Sequence, residues 1–117
     1  MDAPNQGRTN TKGVALRFLV HENRKCHGLL AYEWLLETAK KLEVPGGTVY
    51  RSMAGFGRHG VLHEQHFFEL AGDLALQVVF ILSDAEAERL LDLVAREENS
   101  FFYLRSPVEY GVIGGKA

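Results

Sequence analysis

The sequence predicts a single α+β domain with a ferredoxin-like βαββαβ order, in which two helices lie on one face of an antiparallel sheet. Two segments have the hydrophobic spacing of amphipathic helices, and two predicted strands separate them. A further strand precedes the first helix and another follows the second. The length of 117 residues is that of one domain, and an apolar fraction of 46% is enough for a core. This order is that of the split βαβ unit.

The first strand and helix follow from their hydrophobic periods. Val14 to His21 alternates, with one strongly apolar face, which predicts a strand. Leu29 to Leu42 places its apolar residues on one helical face. Glu33 near the start and Lys41 at the end suit the helix dipole. Pro45 with the two following glycines ends the helix.

Three segments in the middle of the chain have strand character. Thr48 to Phe56 is rich in strand-forming residues, and Phe67 to Leu70 could form a short strand before the turn at Gly72-Asp73. Leu74 to Leu82 is the clearest strand, apolar on both faces although Gln77 interrupts it. That pattern predicts a central strand that is covered on both sides.

The second helix has a capping-box start. Ser83 is followed three residues later by Glu86, and an apolar stripe from Ala87 to Val94 comes next, so we expect a helix that ends near residues 97–99. Phe101 to Leu104 and Val108 to Ile113 are strand-like. Ser106-Pro107 separates them, which indicates a sheet edge or a bend.

The predicted arrangement leaves one face of the sheet without a cover in the monomer. Because the strand from Leu74 to Leu82 is apolar on both faces, we expect copies of the chain to cover that face. The sequence therefore predicts a homo-oligomer.

Residues 1–13 are predicted to form a flexible N-terminal tail, and residues 14–117 the folded domain. The tail contains Pro4, Asn5, Gly7 and Asn10 and offers little that can be buried. The alternative is that contacts with a partner order it.

Composition argues against two classes of function. The formal net charge is −2, and Arg24-Lys25 is too short to act as a basic cluster, so we expect no nucleic-acid binding. The apolar run from Leu74 to Leu82 is far shorter than the roughly 20 residues of a membrane-spanning helix, so no direct membrane insertion is expected. Cys26 is the single cysteine and the N-terminus lacks a hydrophobic signal core, which favours a cytoplasmic protein.

The segment from Gly47 to Arg58 resembles a known family. It reads Gly-Thr-Val-Tyr-Arg-Ser-Met-Ala-Gly-Phe-Gly-Arg, and it is similar to the second strand and loop start of the nitrogen-regulatory PII superfamily. The closer resemblance is to an uncharacterised PII-like family with the same Thr-Val-Tyr-Arg start and the same spacing to Gly-Phe-Gly. That family also has a histidine shortly after, here His63, and an approach to the first helix like His27-Gly28. The resemblance covers roughly residues 16–94.

The chain departs from true PII proteins at two places. It has one more residue between Thr48 and Gly55, which would produce a bulge or a shift of register. PII proteins carry a glycine-rich loop with a lysine after the second helix, which helps to hold ATP phosphates; here residues 98–103 read Glu-Asn-Ser-Phe-Phe-Tyr. The resemblance therefore implies the fold, a homotrimer and a ligand cleft between subunits, and it leaves nucleotide binding open.

The resemblance implies that the ligand-binding residues are Thr48, Arg51, Gly55, Gly57 and Arg58. Glycine lets the backbone approach a ligand, and arginine offers a forked donor to phosphate or carboxylate. The alternatives are that the glycines serve only the bend, that Arg58 points to water, and that Arg51 pairs with an acidic group across the sheet.

The function that this resemblance implies is signalling. A small ligand, with an adenine nucleotide as the candidate, would bind at the subunit cleft and change the state of the loop at residues 57–66. The loop would then regulate a partner protein, for which a membrane transporter or channel is a candidate.

The loop also contains His59, His63 and His66 within eight residues. In a helical loop His59 and His63 would share a face, as would His63 and His66, and three imidazoles could hold zinc or copper. The alternative is a solvated loop whose histidines have no common role. A metal-binding trimer is thus the first alternative function.

No complete catalytic motif is present. The sequence lacks a Ser-His-Asp order, a P-loop, a zinc-protease pattern and a dinucleotide fingerprint. Cys26-His27 could be a thiolate and a base, but adjacent residues seldom orient their side chains to react together. We therefore interpret Cys26 as a small, partly buried packing residue. We predict that the protein is not an enzyme; an enzyme with its site at a subunit interface is the second alternative.

Overall fold

The computed structural model of the protein describes residues 7–54, 75–98 and 100–114. The elements in chain order are β1 Thr11–His21, β2 Lys25–Cys26, β3 Leu29–Leu30, α1 Ala31–Lys41, β4 Gly47–Arg51, β5 Ala75–Leu82, α2 Asp84–Val94 and β6 Phe102–Tyr110. Four strands form an antiparallel sheet in the order β4-β5-β1-β6, and β2 pairs with β3 in a small hairpin. The predicted α+β class with ferredoxin-like order is confirmed.

The two central strands, β1 and β5, supply most of the core. Their alternate residues pack against both helices and are almost fully buried: Val14, Leu16, Phe18 and Val20 from β1, and Leu76, Val78, Phe80 and Leu82 from β5. Phe18 and Phe80 meet edge to face with ring centroids 6.3 Å apart, an arrangement that aromatic rings favour. Because these residues all lie on one face of the sheet, both helices cover that face and leave the other bare.

Helix α1 is shorter at its start than the predicted segment from Leu29 to Leu42. Leu29 and Leu30 are extended and pair with Cys26 and Lys25, so the helix begins at Ala31. The carboxylate of Glu33 accepts a hydrogen bond from the backbone N–H of Leu30 at 3.2 Å, which satisfies one donor at the helix start. The hydrophobic spacing of the helix extends back to Leu29 in the hairpin, which explains why the sequence predicted too early a start for the helix.

Helix α2 begins with the predicted capping box. The Ser83 hydroxyl accepts from the Glu86 N–H at 3.1 Å, and the Glu86 carboxylate accepts from the Ser83 N–H at 2.8 Å. Ala87, Leu90 and Val94 are buried on its inner face. The helix ends at Val94, before the predicted end, because the residues that follow form the tighter i→i−3 hydrogen bonds of a turn. The Arg96 N–H donates to the Leu93 carbonyl and the Glu97 N–H to the Val94 carbonyl.

The last strand is continuous, so the prediction of two segments separated by Ser106-Pro107 is wrong. β6 runs through Pro107, which lies opposite Val14 of β1. The predicted edge position is correct, since β1 is the only neighbour of β6 in the described sheet. An edge strand tolerates proline because half of its backbone N–H groups have no partner strand to bond.

The folded region begins before the predicted boundary at residue 13. β1 starts at Thr11, Arg8 forms an isolated bridge with Ile113, and the Thr9 N–H donates to the Val112 carbonyl at 2.9 Å. The segment 7–13 therefore packs along the end of the chain, so the prediction of a tail is wrong for these residues. Residues 1–6 lie outside the described ranges.

Strand β4 ends earlier than predicted in the described part of the chain. It covers residues 47–51, and Ser52 then donates from its N–H (3.1 Å) and its hydroxyl (2.7 Å) to the Ala75 carbonyl. The predicted strand from Phe67 to Leu70 lies outside the described ranges.

Candidate functional site

The bare face of the sheet presents an apolar surface. The strand register places Tyr50, Val79, Ile81, Ala15, Leu19, Phe102 and Leu104 on it. Phe102 and Leu104 are each 44% exposed, although they occupy a sheet. Soluble chains seldom leave such side chains together in water, so this face is a candidate interaction surface.

Arg17 lies in the middle of this apolar face. It is opposite Val79 on β5 and Leu104 on β6, and it is half-buried by the neighbouring strands. A guanidinium in such a place favours a partner that supplies an acceptor, since its donors need hydrogen bonds once water is excluded.

A cleft of about 500 Å³ opens beside the end of β4, on the side of the helices. Its lining residues are Glu22, Asn23, Leu30, Tyr32, Val49, Arg51 and Leu76. Arg51 forms an ion pair at 2.5 Å with Glu22, which lies just after the end of β1 and not on a neighbouring strand of the sheet. The guanidinium remains 63% exposed, which leaves donors for an anionic group.

The structure places Thr48 and Arg51, two of the predicted ligand residues, on opposite faces of the sheet. Thr48 is exposed on the bare face, whereas Arg51 points to the helix side, so the two do not share one pocket in the described part of a single chain. The residues of the loop, Gly55, Gly57, Arg58, His59, His63 and His66, lie outside the described ranges. Both the ligand-binding and the loop-histidine predictions therefore stay predictions.

A second cluster was not predicted as a unit. Cys26 and His27 follow β1, and both contact Glu97, which lies just after α2. His27 Nε2 donates to Glu97 Oε1 at 2.7 Å, and the Cys26 thiol donates to the same oxygen at 3.7 Å. Sequence reasoning considered Cys26 and His27 only as a pair; Glu97 is about 70 positions away, and no local spacing connects it to them.

Aromatic stacking holds the imidazole of this cluster. The His27 ring lies on the Trp34 indole with centroids 5.5 Å apart, and Trp34 stacks in turn on Phe101 at 6.0 Å. The Arg24 guanidinium carbon lies 4.0 Å from the centre of the Phe101 ring, a cation–π contact that closes the stack. Phe101 belongs to the segment where true PII proteins are expected to have a phosphate loop, and here it packs instead.

The thiol of Cys26 is held in its protonated form. Burial raises the pKa of the Cys26 thiol, and the Glu97 carboxylate raises that pKa further through its charge and its hydrogen bond. The nearby Arg24 guanidinium acts in the opposite direction. Cys26 is therefore a poor nucleophile in this state, which agrees with its predicted packing role.

Solved structures with similar folds are PII-like proteins. CPII from Thiomonas intermedia K12, a nitrogen regulatory PII-like protein bound to ADP, AMP and bicarbonate, matches with a TM-score of 0.60 and 13% identity over 87% of this chain and 96% of its own. A putative PII-like signalling protein from Thermus thermophilus matches with a TM-score of 0.57 and 17% identity over 89% of this chain and 92% of its own. These likenesses define the class of fold as PII-like.

The chain belongs to the DUF190 family (Uncharacterized ACR), whose sequence profile matches residues 13–109. A UPF0166 protein of Aquifex aeolicus (strain VF5) is 29% identical over 93 residues, which are 80% of this chain and 89% of that protein. The predicted membership of an uncharacterised PII-like family is thereby confirmed. Neither described helix is long and apolar enough to cross a membrane.

Proposed function

We propose that the protein is a cytoplasmic PII-like regulatory protein that forms a homotrimer and binds a small ligand at the cleft between subunits. Ligand binding changes the state of the 57–66 loop, which then acts on a partner protein. An adenine nucleotide is the first candidate ligand. The single observation that carries the proposal is the bare, apolar face of a PII-like sheet.

The apolar side chains of this face support assembly through copies of the chain. Four strands spaced about 4.8 Å apart and about 8 residues long present on the order of 500 Å² of sheet. The face carries half-exposed leucine, isoleucine and aromatic side chains, and apolar side chains grouped in this way mark interaction surfaces. Copies of the chain are the proposed occupant because exposed apolar side chains reach both edges of the face, at Tyr50 and at Leu104, on either side of Arg17.

The ligand part of the proposal is supported by two observations. The cleft beside β4 presents a partly exposed guanidinium, that of Arg51. The fold neighbour CPII binds ADP, AMP and bicarbonate. An anion at this cleft would gain a charge-assisted hydrogen bond from Arg51.

The test is a calorimetric titration of the purified protein with ADP, AMP, ATP and bicarbonate, together with its mass in solution by light scattering. We expect a trimer and saturable binding of at least one of these compounds, weakened by Arg58→Gln or Arg51→Gln. Arg89→Gln, on the exposed side of α2, is the matched control and should bind as the wild type does. A trimer that binds none of the four compounds would refute the ligand part, and a monomer would refute the whole proposal.

The same titration separates a sensor from an enzyme. The protein is proposed to bind the nucleotide without turnover, because no catalytic triad or phosphate loop is present in its sequence. Chromatography of the nucleotide after prolonged incubation should return it unchanged. Steady release of AMP or phosphate in proportion to protein concentration would favour the enzyme alternative.

A further inference from the structure

We propose that Cys26, His27 and Glu97 form a binding site for a zinc-type divalent cation, with a fourth coordination position left open to solvent or to a ligand. The sulfur, the imidazole nitrogen and the carboxylate oxygen of these residues lie within 4.8 Å of one another. The inference does not depend on the proposed function, and the site is different from the loop histidines.

Two of the three donor–donor distances can be compared with those of a tetrahedral zinc site. Donors about 2.0–2.3 Å from a tetrahedral zinc ion are about 3.3–3.6 Å from each other. Cys26 Sγ and Glu97 Oε1 are 3.7 Å apart, close to this separation. His27 Nε2 and Glu97 Oε1 are 2.7 Å apart and need to separate by about 0.6 Å, which an exposed imidazole can do.

The Glu97 carboxylate lies where the other two proposed ligands converge. Its Oε1 atom accepts hydrogen bonds from both the imidazole and the thiol, so two donors converge on one carboxylate oxygen. A divalent cation would replace the bridging protons and bind the thiolate, the imidazole and the carboxylate together. The thiolate and the carboxylate would then balance the two positive charges of the ion. This matters because Cys26 is buried, and a buried thiolate without a positive partner would be costly.

The ligands are held by structure that does not depend on the ion. The β2–β3 hairpin fixes Cys26, and the Ala31 N–H donates to the Arg24 carbonyl at 2.7 Å across its base. His27 has a φ of 54° and Gly28 a φ of 80°, so the turn is built from two consecutive left-handed residues. The stack of His27 on Trp34 orients the ring in the way that outer-shell partners orient metal-ligating histidines.

The set of donor atoms selects the class of ion. Thiolate and imidazole suit zinc and its neighbours in the transition series, whereas magnesium and calcium prefer oxygen alone. Three protein ligands with one open position are typical of sites that hold a water or an exchangeable ligand. The imidazole side chain is 58% exposed and that of Glu97 is 19% exposed, so solvent can reach the open position.

The experiment uses Co²⁺ as a spectroscopic substitute for Zn²⁺ with the full, reduced chain. We expect one ion per chain, with a thiolate-to-cobalt charge-transfer absorption in the near ultraviolet that Zn²⁺ abolishes by displacement. Trp34 is the only tryptophan of the chain, so its emission reports directly on the stacked imidazole. Co²⁺ should quench this emission at the same stoichiometry.

Variants assign the site. Cys26→Ser should remove the charge-transfer absorption, and His27→Gln and Glu97→Gln should each weaken Zn²⁺ binding at least about 100-fold, beyond the roughly 10–100-fold effect of an outer-shell change. Because the His27 side chain is exposed, we expect His27→Gln to fold, and it tests the site if Cys26→Ser folds poorly. Circular dichroism checks the folding of each variant. The matched control changes His59, His63 and His66 to Asn and should bind as the wild type does.

Three results would overturn the inference. The first is a wild-type Co²⁺ complex without charge-transfer absorption, and the second is unchanged binding by a folded His27→Gln protein. The third is loss of binding in the loop-histidine control with binding retained in Cys26→Ser, which would place the metal in the loop.

Discussion

The substitution Leu104→Glu tests the proposed assembly at an apolar side chain of the bare face. Leu104 is 44% exposed on that face of the sheet, opposite Arg17. Burial of a leucine side chain stabilises by about 1.5–3 kcal/mol, so covering the exposed part contributes about 1 kcal/mol per subunit. A buried carboxylate costs several kcal/mol more, and the combined loss of about 4 kcal/mol corresponds to about 10³-fold weaker association per interface.

Sedimentation velocity at micromolar protein should therefore show a trimer for the wild type and a monomer for Leu104→Glu. Leu29→Glu is a matched control, because Leu29 is 40% exposed but belongs to the β2–β3 hairpin and not to the sheet face. It should retain the mass of the wild type. If Arg17→Leu combined with Leu104→Glu remained trimeric, or if Leu29→Glu dissociated equally, the sheet face would not be the interface and the reasoning would fail. Arg17 could rescue a Glu at position 104 by pairing with it, so Arg17→Leu combined with Leu104→Glu should dissociate at least as far.

Three further predictions concern stability and the thiol. Gly13→Ala should lower the free energy of unfolding by about 1–3 kcal/mol in urea titration, because a Cβ at Gly13 would overlap the Leu82 carbonyl; an unchanged midpoint would contradict the close approach. Ser83→Ala should cost about 1 kcal/mol through loss of the helix cap, whereas Ser83→Asp should retain most of the stability in the same assay. Alkylation of Cys26 by iodoacetamide should reach half its maximal rate at a higher pH than in the unfolded chain, and Glu97→Gln should lower that pH; the free energy of unfolding should fall as the pH rises from the ordinary thiol pKa through the raised one. Equal alkylation profiles for the native and urea-unfolded protein would contradict the raised pKa.

The sheet and the second helix could be predicted because their signals are local. The alternation in β1 and β5 and the Ser83–Glu86 cap are each complete within a few residues, and the structure confirms them. The start of α1 could not be predicted in the same way. The helical spacing includes Leu29 and Leu30, but their pairing with β2 places them in an extended hairpin, and tertiary packing overrides the pattern.

The end of the chain shows the same limit for proline. Pro107 breaks the strand pattern in the sequence, yet β6 continues through it because an edge strand does not require every backbone donor. The cluster of Cys26, His27 and Glu97 was harder to predict, since the contact between His27 and Glu97 joins the start of α1 to the end of α2. Only the packing of both helices on one sheet face brings these two ends together.

The two proposals use opposite sides of the same sheet. Cys26 packs in the core on the helix side, while Leu104 pairs with β1 on the bare side. Leu104→Glu should therefore leave the cobalt absorption unchanged, and Cys26→Ser should leave the trimer mass unchanged. β1 nevertheless connects the two, because it crosses the proposed assembly face and ends at the turn that carries Arg24 and precedes the proposed ligands Cys26 and His27. A change of trimer stability on Zn²⁺ addition that Cys26→Ser abolishes would show that this strand transmits the state of one site to the other, and that coupling would act equally in both directions.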